Sequence, residues 1–183
     1  MSEELALFRD NVKRFVDTEV LPHYQLWEKA EIFPRELWNK LGEQGLLAVD
    51  IPEAYGGYGA NFLFSMAIQE TFARANCAAV GGPMAVHSDI VAHYLLNKGT
   101  EAQKQHFLPR MVSGECVGAV AMTEPGAGSD LQGIRTSARR DGDDYLINGS
   151  KTFITNGQHC DFVIVVARTN TTAPGSKGTT LFL

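Results

Sequence analysis

The sequence predicts an α+β fold, with a helical domain at residues 1–115 followed by a β-domain at residues 116–183. Apolar residues first recur at three- and four-residue spacing, which is the period of an amphipathic helix. Beyond Ser113–Glu115, short apolar runs alternate with Gly-containing turn signals, a pattern typical of strands joined by tight connections. The pairs Asp141-Gly142 and Asn148-Gly149 add two predicted hairpin turns, which favour an antiparallel sheet.

Five helices are predicted in the first domain. The first runs through an apolar stripe between Leu5 and Val16, with charged residues on its other face. Pro34 opens the second helix, because proline is well tolerated in a first helical turn. The third covers residues 61–73 and the fourth residues 83–96. Thr100-Glu-Ala-Gln103 is a capping box that begins the fifth.

The second domain is predicted to consist of short strands. Val117–Met122 is a buried strand that ends at a Pro-Gly turn. The other predicted strands are rich in β-branched and aromatic residues and lie between turn signals. They are Ser137 to Arg140, Tyr145 to Ile147, Ser150 to Ile154, Phe162 to Ala167 and Thr179 to Leu183.

Charge and hydropathy exclude several classes of function. The net charge of −5 argues against nucleic acid as a partner, since proteins that bind it present a basic face. No apolar run in the sequence approaches the length that crosses a bilayer, so no membrane span is expected. The first residues lack the basic and apolar regions of a secretion signal, and we expect a protein that is not secreted.

The cysteines and histidines predict neither disulfides nor a metal site. Cys77, Cys116 and Cys160 are odd in number and widely spaced, which indicates reduced packing residues in a cytoplasmic or matrix-like compartment. His87 and His93 are six residues apart, which does not place two imidazoles on one helical face. We therefore expect no bound metal.

The turn after the first strand is the strongest candidate for a binding site. Gly126 and Gly128 lack a Cβ and can take positive φ, so a ligand can approach the amides of residues 127–129. Such a nest suits a pyrophosphate. Ser129 adds a hydroxyl donor, and Asp130 can fix the loop by accepting backbone N–H bonds. A polar turn without a ligand is the alternative, and the Gly-x-Gly-x-x-Gly fingerprint of nicotinamide dinucleotide sites is absent.

Two motifs of the β-domain occur together. The first is Ala121-Met-Thr-Glu-Pro-Gly-Ala-Gly-Ser-Asp-Leu-Gln-Gly133, and the second is Asn148-Gly-Ser-Lys-Thr-Phe-Ile-Thr-Asn-Gly157. They resemble the two flavin-contacting segments of the acyl-CoA dehydrogenases. The resemblance extends upstream through residues 46–57 and 99–110, so it covers essentially the whole chain. Residues 118–134 are most similar to the long-chain type.

The resemblance implies an activity, a cofactor and partners. It implies FAD-dependent α,β-dehydrogenation of fatty acyl-CoA thioesters in fatty acid β-oxidation, with an electron-transferring flavoprotein as acceptor. It also implies a homotetramer, an antiparallel β-barrel-like middle domain and a C-terminal helical domain that carries the catalytic base. Because members of the family continue past the position of Leu183, we expect this chain to be a fragment, inactive alone. No residue of it is assigned as the base.

The resemblance also implies roles for individual residues. Thr123 would hydrogen-bond the pyrimidine side of the flavin, and Thr155 would lie near N5. Gly128 and Ser129 would hold the pyrophosphate. Many members carry Trp where this chain has Phe153, and Phe keeps the ring surface but lacks the indole N–H. The implied cofactor-binding residues are Val120, Ala121, Met122, Thr123, Glu124, Pro125, Gly126, Ala127, Gly128, Ser129, Phe153, Ile154 and Thr155.

Three residues are implied to bind the acyl-CoA substrate. Ser129 would contact it as well as the cofactor, and Ser176 and Lys177 lie in a loop where the lysine would meet a CoA phosphate. The alternative for Lys177 is that it is a charged loop residue exposed to solvent and binds no phosphate. The alternative for Phe153 and Thr155 is that they are ordinary strand residues that bind no ligand, since aromatic and β-branched residues are common in strands.

Two other classes of function stay open at this point. A flavin-dependent oxidase or monooxygenase would share the scaffold but would react its reduced flavin with oxygen. A non-catalytic helical interaction module would retain the turn without binding a cofactor. The length of the acyl chain is not predicted from the residues.

Overall fold

The computed structural model describes residues 2–173 and 175–183. The chain divides into two compact units, Met1–Val117 and Gly118–Leu183. The first unit is helical and the second contains a five-stranded sheet. The predicted α+β class, with helices first and strands second, is therefore confirmed.

The first unit opens with a helical run that is longer than the sequence predicts. Helix α1 (Glu3–Phe15) continues through a π-helical turn (Val16–Val20) into α2 (Leu21–Ala30). The run ends where Glu31 adopts a left-handed conformation, φ 59°. The apolar stripe predicts only the first of these segments, because α2 buries just Tyr24 and so leaves no clear periodic signal.

The remaining helices follow the predicted order. Helix α3 covers Glu36–Glu43 and α4 covers Phe62–Arg74, as expected near Pro34 and residues 61–73. The predicted fourth helix is longer and begins earlier: α5 (Ala78–Ala85) contains Pro83, and a π-helical turn (Val86–Val91) joins it to α6 (Ala92–Lys98). Helix α7 spans Glu101–Val112.

The predicted capping box at the start of α7 is confirmed. The Gln103 backbone N–H donates to Thr100 Oγ1 over 3.2 Å, and the Thr100 N–H donates to Gln103 Oε1 over 2.8 Å. Both bonds satisfy donors that the first helical turn leaves unpaired.

The helical unit packs around aromatic side chains. Trp38 on α3 is fully buried and lies 5.1 Å from the ring of His87 between centroids. His87 Nε2 lies 3.0 Å from the Met111 carbonyl oxygen, which satisfies this buried polar ring. The fully buried large side chains include Trp38, Phe72, Leu41, Leu46, Leu47, Ile51, Met84, Leu108, Met111, Val12 and Val16.

The second unit forms a mixed sheet. Its strands are β1 (Gly118–Ala121), β2 (Ser137–Asp141), β3 (Asp144–Asn148), β4 (Phe162–Arg168) and β5 (Thr179–Phe182). The spatial order is β1-β4-β2-β3, and β5 lies off this path and also pairs with β4.

The pairing departs in part from the expected antiparallel arrangement. β2–β3 and β4–β5 are antiparallel, but β1 and β2 each pair with β4 in parallel. The hairpin at Asp141–Asp144 is confirmed, and Gly142 has the positive φ of 64° that such a turn requires. The described strands form an open sheet, not a closed barrel.

The predicted strand at Ser150 to Ile154 is wrong, and so is the hairpin at Asn148-Gly149. This stretch is irregular, with positive φ at Phe153 (56°) and Asn156 (67°). The Gly149 backbone packs so closely on Thr136 that a Cβ there would lie 2.6 Å from the Thr136 Cα. The strand β3 ends just before this contact, although the composition of the following segment is typical of a strand.

Candidate functional site

The first motif forms a tight turn directly after β1. The Glu124 N–H donates to the Ala127 carbonyl over 3.0 Å, and the Ala127 N–H donates back to the Glu124 carbonyl over 3.1 Å. The next residues, Gly128 and Ser129, are exposed. Within residues 2–173 and 175–183, their backbone N–H groups have no hydrogen-bond partner. The turn therefore presents donors that an anion can accept.

The glycines of this turn contribute open space. A Cβ built on Gly126 or Gly128 would meet no atom within 4 Å. Neither residue has a positive φ, so the turn does not use the left-handed conformation that glycine permits. What these glycines provide is the absence of a side chain between the backbone and an approaching ligand.

The second motif lies alongside the end of β1. The Thr152 N–H donates to the Thr123 carbonyl over 3.0 Å, and Lys151 Nζ donates to the Met122 carbonyl over 2.8 Å. Further along, Asn156 Nδ2 donates to the Gly118 carbonyl over 3.2 Å. The structure thus brings together the two segments that the sequence marks as one site.

The Glu124 carboxylate is the centre of this arrangement. Its Oε2 accepts from the Arg135 N–H over 2.6 Å, and its Oε1 accepts from the Thr136 N–H and from Lys151 Nζ, each over 2.9 Å. Only 6% of its side chain is exposed, and only 12% of that of Lys151. The carboxylate joins the turn, the start of β2 and the second motif.

The surroundings of Glu124 favour its charged form. Burial by itself raises the pKa, but the neighbouring Thr136 hydroxyl, the Arg135 and Thr136 backbone N–H groups and the Lys151 ammonium group outweigh it. The pKa of Glu124 is lowered to about 2. The carboxylate is therefore ionised at neutral pH and accepts three hydrogen bonds.

The predicted cofactor residues differ in exposure. Phe153 has 90% of its surface exposed, and Thr155 is exposed beside it. In contrast, Ala121, Glu124 and Ala127 are at most 7% exposed, so they shape the turn from within. The exposed aromatic ring and hydroxyl lie on a segment that is bonded through Thr152 to the turn after β1.

The predicted substrate loop lies close to the same turn. Ser176 and Lys177 are exposed on a 3₁₀ turn (Gly175–Gly178) that packs on another 3₁₀ turn (Leu131–Gly133), two residues beyond Ser129. The 3₁₀ turn at Leu131–Gly133 is held by Arg168, whose guanidinium group donates to the carbonyls of Gln132 and Ile134. The structure therefore places the candidate substrate residues on neighbouring turns.

Sequence reasoning assigned no role to Lys151. Its position within the second motif was visible, but its acceptors lie 27 and 29 residues earlier in the chain. The sequence does show that this lysine lies in an apolar and β-branched stretch. Such a position indicates a buried lysine, which requires a charged or polar partner.

Fold and site together define a class of two-domain proteins with an α-helical first domain, a β-domain and an anion-accepting turn after its first strand. The model of the acyl-CoA dehydrogenase N-terminal domain matches residues 2–115. The model of the acyl-CoA dehydrogenase middle domain matches residues 119–183. The chain belongs to the acyl-CoA dehydrogenase family.

Individual relatives agree with this assignment. The long-chain specific acyl-CoA dehydrogenase of Sus scrofa mitochondria is 51% identical over 183 residues, which are 100% of this chain and 42% of that protein. The crystal structure of an acyl-CoA dehydrogenase from Geobacillus kaustophilus has a TM-score of 0.93 and 46% identity, over 99% of this chain and 47% of that one. A glutaryl-CoA dehydrogenase from Mycobacterium smegmatis, solved in complex with FADH2, has a TM-score of 0.87 and 31% identity, over 92% of this chain and 43% of that one. The chain spans less than half the length of these relatives.

Two features are absent from the described residues. Among residues 2–173 and 175–183, no helix has both the length and the apolar character of a membrane span. The same part of the chain contains no group of three or more His, Cys, Asp or Glu side chains placed to hold a metal ion.

Proposed function

We propose that the protein catalyses FAD-dependent α,β-dehydrogenation of fatty acyl-CoA thioesters and acts on long acyl chains. The observation that carries this proposal is the convergence of two separate segments, the turn at residues 123–129 and the stretch at residues 153–155, through the Thr152–Thr123 hydrogen bond. Family membership supports the reaction class. The identity of 51% to a long-chain enzyme supports the chain-length preference.

The residues present fit FAD. The unpartnered N–H groups of Gly128 and Ser129, with the Ser129 hydroxyl, would bind its pyrophosphate, and the open space beside Gly126 and Gly128 leaves room for it. Thr123 would hydrogen-bond the pyrimidine side of the ring system. Phe153, Ile154 and Thr155 would line its other part, with the Thr155 hydroxyl near N5. When bound, FAD supplies the hydride-accepting chemistry.

The chain's own residues orient the reactants. Ser129 would contact both cofactor and acyl-CoA, and Ser176 and Lys177 would bind the CoA portion from the neighbouring turn. Lys177 would provide a positive charge for a CoA phosphate. Such positioning contributes to the rate by holding the reacting atoms in a productive geometry.

Glu124 is excluded as the base that removes the α-proton. Its carboxylate is buried, accepts three hydrogen bonds and has a pKa lowered to about 2, so it is a very weak proton acceptor. We propose that the base belongs to a C-terminal helical domain of the protein, outside the 183 residues of this chain.

The partners follow from the same proposal. An electron-transferring flavoprotein would reoxidise the flavin, and the whole protein would be a homotetramer. We place it in the cytoplasm of a bacterium or in the mitochondrial matrix, in agreement with the mitochondrial relative.

The test is an assay of the whole protein with palmitoyl-CoA. Enoyl-CoA formation is followed with a ferricenium dye as electron acceptor, and oxygen consumption is recorded in parallel. Dye-dependent turnover with negligible oxygen consumption supports the dehydrogenase. Oxygen consumption equal to product formation would show an oxidase or monooxygenase, and a protein that binds no FAD would be a non-catalytic module.

A further inference from the structure

The Lys151 side chain makes the only charged contact between the two motifs among the residues that the structure describes. Its ammonium group donates to the Met122 carbonyl over 2.8 Å and to Glu124 Oε1 over 2.9 Å. Its neighbour Thr152 donates to the Thr123 carbonyl. Three consecutive residues of the first motif are thus bonded to two consecutive residues of the second.

This pattern fixes the register of one segment against the other. Thr155 follows Lys151 by four residues, so a shift of the second segment would move its hydroxyl relative to the turn at Ser129. The intervening backbone is irregular and has a positive φ at Phe153. Without ladder bonds of its own, the segment is held by these contacts on one side of residues 153–155 and by the Asn156–Gly118 hydrogen bond on the other.

Stability alone does not account for a charged pair at this place. Replacing a buried ion pair by apolar side chains of similar volume is often neutral or stabilising. An apolar side chain at position 151 would fill the same space, but it could not donate to two acceptors on the turn. What the ammonium group adds is a directed connection between the motifs.

We propose that Lys151 is a positioning residue, which through Glu124 and the Met122 carbonyl holds residues 152–155 in the arrangement that binds FAD. This inference rests on the proposed function, because it concerns the same site. Lys151 acts through the backbone and touches neither the reacting atoms nor the substrate in this role.

The experiment compares two variants with matched controls, all in the full chain. Lys151→Met removes the ammonium group and keeps the length of the side chain, whereas Lys151→Arg keeps the charge. Lys98→Met controls for the loss of an exposed lysine, and Ile164→Val for a loss of stability in the second unit. The readouts are hydrogen exchange at the Thr152 amide, the melting temperature without FAD and the FAD dissociation constant.

We expect Lys151→Met to accelerate Thr152 exchange and to raise the FAD dissociation constant, each by about tenfold or more, consistent with the loss of a charge-assisted hydrogen bond. Lys151→Arg should recover most of the affinity. Ile164→Val should lower the melting temperature and leave the affinity unchanged. A change in affinity that merely followed the melting temperature would contradict the positioning role.

The outcomes separate this inference from the proposed function. If the unmodified chain binds FAD and Lys151→Met binds it equally well, the positioning role is wrong and the proposed function stands. If Thr152 exchange is unchanged in Lys151→Met, the structural basis of the inference is wrong. If Lys151→Met fails to fold, Glu124→Gln gives the same test, since it weakens the same connection from the other side. If the unmodified chain binds no FAD, the positioning role is wrong for this chain, and the proposed function is decided by the assay of the whole protein with palmitoyl-CoA.

Discussion

The stability of the β-domain should fall at low pH because one buried carboxylate, that of Glu124, becomes protonated. Its pKa is lowered from 4.5 to about 2, a difference of about 2.5 units. At about 1.4 kcal/mol per unit, the ionised carboxylate contributes about 3 kcal/mol to folding at pH 7. Because the folded pKa lies below the unfolded one, this contribution is present above pH 4.5 and is lost as the pH falls toward 2. More than half of it should be gone at pH 3.

The assay is urea unfolding of the unmodified chain and of Glu124→Gln between pH 7 and pH 3. Both tryptophans, Trp27 and Trp38, belong to the first unit and report on the wrong domain. Unfolding of the second unit is therefore followed by the NMR signals of Ile164, which is buried in β4.

Glutamine cannot ionise, so its own cost to stability does not vary with pH over this range. The difference between the two proteins should shrink by about 2 kcal/mol from pH 7 to pH 3. A difference that stays constant over this range would refute the reasoning that the donors around Glu124 stabilise its charge.

Three further predictions concern single substitutions. Gly149→Ala should destabilise the second unit by about 2–4 kcal/mol in urea unfolding, because the new Cβ would lie 2.3 Å from the Thr136 hydroxyl oxygen. The control Gly126→Ala should change stability by less than about 0.5 kcal/mol, because a Cβ there would meet no atom within 4 Å. Equal effects would contradict the packing argument. Ser129→Ala should raise the FAD dissociation constant about fivefold to tenfold in a fluorescence titration without a change in melting temperature, and an unchanged affinity would exclude Ser129 from the site. Thr100→Ala removes the capping box and should cost about 1 kcal/mol, measured by tryptophan-detected urea unfolding, and no loss would show that the cap is dispensable.

Most features with a local signal were predicted correctly, but the hairpin at Asn148-Gly149 was not. The capping box at Thr100 and the hairpin around Gly142 are each specified by residues within four positions of one another. The turn after β1 was found for the same reason, since its glycines and hydroxyl are contiguous. The position of the second motif against the first followed from the family resemblance.

Features that depend on distant contacts were missed. The segment after Gly149 has the composition of a strand, but the Thr152 N–H bonds to the Thr123 carbonyl in the turn after β1, and this contact is visible only in the folded chain. The parallel pairing of β1 with β4 joins residues that are 44 positions apart. The role of Lys151 depends on acceptors in the other motif.

We propose that two segments of the β-domain form one FAD site, and titration of FAD into the ¹⁵N-labelled chain, followed by amide chemical-shift changes, tests this. We expect the largest changes to fall at residues 123–129 and 153–155 and to saturate together with one dissociation constant. Changes confined to one segment, changes elsewhere, or no changes at a large excess of FAD would contradict it.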